Sequence, residues 1–426
     1  MVVRQTTCVR RLAQGCRSTQ MGFWRFLANK RVTLDRVIED WSTPTQGACA
    51  GRHVLAIQDT SEIKFATTKE NRRGLGKVKK GTGHGVLLHP MLAVDADSGI
   101  VLGLAGGRAW TRSGAVTTPH SARQLADKES VRWVQTAEQA KQTLANARLI
   151  TVIDDREGDI YAHWALTPAP NVHLITRLMN DHAVLEGGTV RTALAHQPVR
   201  DTARIELRDR ADRPARTAQL SLRFTTLSLK RPKNTPDKDL SDSVPVHVVE
   251  VVEPHPPAGA EPLHWILLTT HAVNSLADAW QIVQWYRRRW IIEQFFRTLK
   301  RQGLRIEDSE LATAERLLKL VAIAAKAAVI VMQLVQARDG HDDQPASLVF
   351  SPHEIKVLDI LNSRLQGKTP RQRNPHPHHT MAAAAWVIAK LGGWHVYETK
   401  PPGPITFFNG LTYFRALAQG YALNDL

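Results

Sequence analysis

Tyr286, Arg289, Glu293, Arg297 and Lys300 recur at short intervals within WYRRRWIIEQFFRTLKRQG, a segment that opens at Trp285. Wound as one α-helix, they fall at about 0°, 300°, 340°, 20° and 320° around its axis. Ile291, Ile292, Phe295, Phe296 and Leu299 fall between about 140° and 280°, on the opposite side. The spacing predicts one helix with an apolar back and a single carboxylate ringed by cations. A solvated face more often alternates its signs. One acid among several bases suits a metal ligand that works on phosphate. Arg289 would grip flanking phosphates as a planar fork and Lys300 as a point charge. Arg288, at about 200°, breaks the pattern and is expected to snorkel to the edge or pair with an acid.

A lone glutamate needs partners. Two continuous apolar runs each end in aspartate: HVLAIQ before Asp59, and RLITVI before Asp154 and Asp155. In α/β sheets, ligands gather beyond the carboxyl ends of strands. Taken singly, an aspartate at a strand end is more often a turn former or helix cap. Glu293 alone could be one arm of a surface ion pair, and either Asp154 or Asp155 could face the site. Together they predict three converging carboxylates beside a basic helix face. Such a set suits hard divalent cations, Mg²⁺ or Mn²⁺. Two ions about 4 Å apart would activate a water or hydroxyl nucleophile and stabilise the leaving oxygen of a phosphodiester.

The elements that must position these residues alternate in type. Residues 1–50 read as helical and basic, with Phe23, Trp24, Phe26 and Leu27 as an apolar patch. Strands are expected at His53–Gln58, Leu87–Val94, Ile100–Leu104, Arg148–Ile153 and Val172–Arg177, with helices at Ser121–Ala147 and Asp159–Leu166. Leu87–Val94 and Ile100–Leu104 pair as a hairpin across DADSG. This alternation predicts an α/β core, with its first part over 51–179. Residues 180–265 read as a β-rich insertion, because short alternating runs are split there by proline and charge. Residues 266–338 return to helix, with Ser275 and Asp278 as a helix start, Gly303 as a stop, and a long apolar helix from about Ala312 to Arg338. Residues 339–426 read as a polar linker and a helical C-terminal unit from about Thr380.

Composition narrows the partner. The 56 Lys+Arg against 40 Asp+Glu give +16 and a pI near 10.0, which points to a polyanion, most simply nucleic acid. Cys8, Cys16 and Cys49 are too few and too scattered for a disulfide scaffold and suit a reducing cytoplasm. The N-terminus is basic and lacks the apolar core of a signal peptide. Leu317–Leu334 is interrupted by Lys319 and Lys326 and reads as a buried helix, not a membrane span. RRGLGKVKKGTGHG lacks the Gly-Lys-Ser/Thr ending of a Walker loop. The run at His376, Pro377, His378 and His379 reads as a disordered, DNA-grazing segment before it reads as a metal tract.

The spacing Tyr-x2-Arg-x3-Glu-x6-Lys at Tyr286, Arg289, Glu293 and Lys300 resembles the signature of the insertion-sequence-four family of bacterial transposases. IQDTSEIKF resembles its first-aspartate motif and IDDREGDIY its second. GKVKKGTGHGVLLHPMLAVDADSGIVLGL is similar to the family pattern after the first aspartate, and the resemblance runs from about Gln20 to the C-terminus. It implies a ribonuclease-H-like catalytic core interrupted by a β-rich insertion, with helical N- and C-terminal regions. It favours Asp155 over Asp154, since the family's Asp-Arg-Glu run falls on Asp155, Arg156 and Glu157. Asp59, Asp155 and Glu293 would then be catalytic and bind two Mg²⁺, with Mn²⁺ able to substitute.

The chemistry so implied is cut-and-paste transposition on double-stranded DNA, with terminal inverted repeats and target DNA as substrates. One strand is cleaved, a hairpin forms and is reopened, and the 3′ end is joined to the target. Tyr286, Arg289 and Lys300 would contact phosphates near a flipped base. Trp265, in LHWILLTT, would stack in the hairpin step, and Arg177, ending VHLITR, would contact phosphate. On their own, these two read as a core tryptophan and a strand-end surface arginine. Arg297, Lys77, Lys79 and Lys80 are expected to touch DNA by charge. AKLGGW and KPPGP resemble the family's tail and imply a homodimer in the bacterial cytoplasm, at the nucleoid. The N-terminus departs from the family: QMGFWRFLANKRVTLDRVIEDW resembles only the last part of its end-recognition region. The alternative so raised is a shortened, non-transposing inhibitor that pairs with a full-length enzyme.

Overall fold

The computed structural model describes residues 1, 6–65, 74–78, 83–112, 118–119, 122–207, 215–301, 303–340, 344–396 and 400–423. Four short helices lead in: α1 (Val9–Leu12), α2 (Arg17–Ala28), α3 (Leu34–Glu39) and α4 (Ser42–Ala48). The strands follow as β1 (His53–Gln58), β2 (Ser61–Lys64), β3 (Gly76–Lys77), β4 (His84–Asp95) and β5 (Val101–Trp110). Next come α5 (Val131–Thr143), β6 (Leu149–Asp154), α6 (Tyr161–Leu166), β7 (Val172–Arg177) and α7 (Val190–Ala195). β8 (Asp201–Leu207), β9 (Arg216–Lys230), β10 (Ser243–Val252) and β11 (His264–Thr269) complete the strands. The rest is helical: α8 (Leu276–Arg287), α9 (Ile291–Lys300), α10 (Ala314–Ala337), α11 (Pro352–Leu365), α12 (Met381–Leu391) and α13 (Pro404–Leu423).

Among the described residues the eleven strands share one sheet, in the order β2-β4-β1-β6-β7-β11-β10-β9-β8, with β3 and β5 also paired to β4. β1 runs antiparallel to β4, and β4 to β5, while β1, β6 and β7 are parallel neighbours. Helices cover both faces of this centre, which is why β1 is apolar at nearly every position and fully buried. Leu55, Ile57, Ile153 and Ile175 pack with α9 and α10 on one side. Val54, Ala56, Val152 and Leu174 pack with Ala137, Ala140 and Leu144 around α5 on the other. Among the described residues α10 is the one helix long and apolar enough to cross a membrane, and 72% of its most apolar window is buried inside the protein.

Several expectations change. The segment at Trp285 is helical throughout but tightens midway. α8 ends at Arg287, a 3-10 turn spans Arg288–Trp290, and α9 begins at Ile291. Arg288 opens the 3-10 turn. Its guanidinium donates to the carbonyls of Asp95, Ala96 and Asp97 in the β4–β5 turn, which pins the chain there. The helix expected over Ser121–Ala147 shrinks to α5 after a 3-10 turn at Leu125–Asp127, and Ser121 lies outside the described residues. Residues 180–265 do not form a sheet of their own. β11 pairs with β7 on one side and β10 on the other, so the added strands extend the central sheet.

The segment 339–380 is no featureless linker. Ser351 and Glu354 close a capping box on α11, with Pro352 in its first turn. Asn374, two residues before the run read as disordered, donates to Asn362 on α11 and to the carbonyl of Ala383 on α12. His379 Nε2 donates to Asp359 Oδ2 at 3.0 Å, and its carbonyl accepts from the amide of Ala346.

Candidate active site

β1 and β6 lie side by side with Ile57 opposite Ile153, so Asp59 and Asp155 leave adjacent strand ends together. Each carboxylate is held by a nearby backbone amide. Asp59 Oδ1 accepts from Thr60 N at 2.6 Å, and Asp155 Oδ1 accepts from Glu157 N at 2.8 Å. Asp155 caps the 3-10 turn Arg156–Gly158. A side chain at Gly158 would strike Asp154, with a Cβ placed 2.5 Å from that of Asp154, so glycine lets the turn lie flat there. Asp154 itself is fully buried and faces away, its Oδ2 accepting from His163 Nε2 at 2.7 Å and Thr176 Oγ1 at 3.3 Å.

Glu293 reaches the same place from the first turn of α9. The buried back of α9, with Ile292, Phe295, Phe296 and Leu299 in the core, turns Glu293 outward. Arg289 stands between the acids: Nη1 lies 3.2 Å from Asp59 Oδ2 and 3.8 Å from Glu293 Oε1. The electrostatics record the crowding. Burial, then the charges of Asp155 and Glu293, push the Asp59 carboxyl up to about 7, against the opposing pull of Arg289 and the Thr60 amide. Burial works against the Arg289 cation, yet Tyr286, Asp59, Asp155 and Glu293 more than offset it and raise its pKa.

The other expected residues divide into two groups. Tyr286 and Arg177 lie near enough to feel the Asp155 charge, and Trp265 is linked to them through Tyr286. Tyr286 lies in the last turn of α8 and packs edge-on to Trp265 at 5.6 Å. Its phenol is pushed up by burial and pulled down by Arg289 and Arg177. Arg177, at the end of β7, is partly committed, since Nη2 donates to the carbonyl of His264 at 2.8 Å. Lys300 is also engaged, donating to Ser61 Oγ at 2.7 Å and to the Glu62 carbonyl, which ties α9 to β2. Arg297 and Lys77 are exposed, and no described contact brings either to the carboxylates. Lys79 and Lys80 lie outside the described residues.

Sequence reasoning overlooked the polar layer beneath the acids. Gln58 closes β1 and His89 sits within β4, both fully buried, with His89 Nε2 and Gln58 Oε1 3.0 Å apart. A histidine inside VLLHPML was the available signal, because a buried polar group in a strand needs a partner. A second histidine group backs α8. His53 and His271 share the Thr151 hydroxyl at 2.8 and 2.7 Å and pack on Trp285. Burial lowers their pKa values to about 4 and about 3, which keeps both neutral.

The donor set at the three carboxylates is all oxygen and partly desolvated, which fits a hard divalent cation. Among the described residues no group of three or more His, Cys, Asp or Glu stands close enough together to hold a metal ion.

Comparison with known proteins bears on the same residues. A family model described as a transposase DDE domain matches residues 50–330, which include Asp59, Asp155 and Glu293. Among solved structures the chain is similar to one described as a cryo-EM structure of the piggyBac transposase synaptic complex with hairpin DNA, at 9% identity and a TM-score of 0.35. That similarity covers 74% of this chain and 56% of the other, so the chain spans little more than half the other's length. The family match covers well over half of the sequence, and this chain belongs to the transposase DDE domain family.

Proposed function

We propose that the protein is a metal-dependent cut-and-paste DNA transposase of the insertion-sequence-four type, similar to the transposon-five transposase. The observation that carries this is Arg289 standing between Asp59 and Glu293, with burial and the charges of Asp155 and Glu293 pushing the Asp59 carboxyl up to about 7. The strand order β5-β4-β1-β6-β7, antiparallel across the first three and parallel across the last, supports a ribonuclease-H-like core.

Asp59, Asp155 and Glu293 would hold two Mg²⁺, or Mn²⁺ in their place, and these supply nucleophile activation and leaving-group stabilisation at the phosphodiester. The chain's own residues do the rest. Arg289, relieved of its carboxylate partners, presents a planar fork to a phosphate. Trp265 and Tyr286 offer an aromatic platform for an extruded base, whose unstacking costs a few kcal/mol. Stacking on such a platform returns about 1–3 kcal/mol. Arg177 and Lys300, already bound to protein oxygens, contribute positive potential, and Arg297 and Lys77 extend it over the surface. The outward face of α13 presents Ile405, Asn409, Tyr413 and Leu417 without a charge, which supports pairing of two copies. The place of work under this reading is the bacterial nucleoid.

The test is DNA carrying the element's terminal inverted repeats, incubated with and without Mg²⁺. The expected products are a nick, then a hairpin, then joined target DNA, all lost in Asp155→Asn. Repeat binding without any cleavage would favour the shortened inhibitor. Cutting without end preference or strand joining would favour a general nuclease.

A further inference from the structure

We propose that Arg132 is a positioning residue that sets the spacing of Asp59 and Asp155, and so the affinity of the site for divalent cations. The inference rests on the reading of those aspartates as metal ligands. Thr60 gives its amide to Asp59, and Glu157 gives its amide to Asp155. The same two residues are joined through their side chains by one guanidinium. Arg132 Nε donates to Thr60 Oγ1 at 2.8 Å, and Arg132 Nη2 donates to Glu157 Oε2 at 2.7 Å.

Arg132 cannot easily move. It opens α5, is 7% exposed, and Nη1 donates to the carbonyl of Glu129 at 3.0 Å. Its guanidinium lies 5.1 Å from the ring centre of Trp133 and 5.9 Å from that of Trp110. A planar fork with fixed donor directions therefore spans the two loops, which a lysine could not reproduce.

The cation also fixes the direction of a hydrogen-bond chain. Thr60 Oγ1 accepts from Arg132, so its single proton goes to His89 Nδ1, 2.8 Å away. His89 then donates from Nε2 to Gln58 Oε1, and the Gln58 amide donates to the carbonyl of Trp133. Gln58 directly precedes Asp59, so both sides of that aspartate are held through groups that Arg132 orients. Partners that orient metal-binding carboxylates typically alter metal affinity by about 10–100-fold when removed.

The experiment measures binding of Mn²⁺ alone, by electron paramagnetic resonance, to the full chain and to Arg132→Lys, Thr60→Val, Glu157→Gln, the Thr60/Glu157 double variant and Asp59→Asn. Binding of end DNA without metal and thermal unfolding are followed in parallel. Arg132→Lys and each single variant should weaken Mn²⁺ binding by about tenfold or more while DNA affinity stays level. Their cleavage should need correspondingly more metal, with the KM for DNA unchanged. The double variant should be less than additive, because both changes break one bridge. If Asp59→Asn weakens Mn²⁺ binding but the folded Thr60 and Glu157 variants do not, the positioning role of Arg132 is overturned and the metal site stands. If Asp59→Asn leaves Mn²⁺ binding intact, the metal-site reading fails and this inference with it. Should Arg132→Lys fail to fold, the Thr60 and Glu157 variants decide the matter alone.

Discussion

Asp59 is the residue on which the electrostatics concentrate. Its carboxyl sits near 7 against an ordinary 3.8, first through burial and then through Asp155 and Glu293. The unfolded chain ionises near the ordinary value and the folded chain near the raised one. Between those pH values the native state therefore holds more protons, and stability declines as pH rises through the window. Asp59→Asn should match the wild type in Tm near about pH 4, gain on it progressively up to about pH 7, and hold a constant lead above. Thermal scans across that range check this, and a difference that does not change with pH would refute it. Mg²⁺ should raise the Tm of the wild type at about pH 8 and leave the variant nearly unmoved, since a ligand stabilises only the state that binds it. At this scale the acids were legible, because each aspartate follows a continuous apolar run. The partners of Lys300 were not: Ser61 and Glu62 are more than two hundred positions away in sequence and meet it only in the fold.

The element that joins α8 to α9 is the 3-10 turn at Arg288–Trp290. It lies between Tyr286, on α8, and Glu293, on α9. Helical periodicity could not reveal it. Arg288 is held there by three carbonyls of the β4–β5 turn, and no local signal in WYRRRWIIEQ names them. Arg288→Ala should leave those carbonyls without their donor and destabilise the protein by roughly 1–3 kcal/mol. Cleavage should fall further than that loss alone explains, because α9 is then free to shift, while DNA binding persists. Chemical denaturation beside single-turnover cleavage separates the two effects. A variant with normal cleavage would show that the turn has no part in aiming Glu293. Other elements were written plainly. β1 and β7 occupy the expected residues, and the capping box at Ser275 and Asp278 starts α8 where the sequence placed it. The matching box at Ser351 and Glu354 was equally visible but was masked by the proline- and histidine-rich composition around it.

The whole molecule is one long sheet with helices on both sides and a cationic excess of +16. The composition shift near residue 180 was readable, but not its consequence. Alternating strands give no hint of which edge they will join, and only β11, paired on both sides, makes them part of the central sheet. The C-terminal helix α13 carries a single charged residue, Arg415, and that is turned inward to Glu354. Tyr413, 61% exposed, and Leu417, 47% exposed, are left on its outer face. If two copies pair there, Tyr413→Glu with Leu417→Glu should convert a dimer to a monomer in sedimentation without lowering Tm. An unchanged oligomeric state would remove α13 from the interface.

The central claim is that Asp59, Asp155 and Glu293 act as one metal-dependent cutting site on DNA. The most direct measurement compares wild type and Glu293→Ala for both binding and cleavage of the same repeat-bearing DNA in Mg²⁺. The account predicts that the variant binds as well as the wild type or better, since a negative charge near phosphate is removed, and that its cleavage disappears. Cleavage by the purified variant at the wild-type rate would contradict the account.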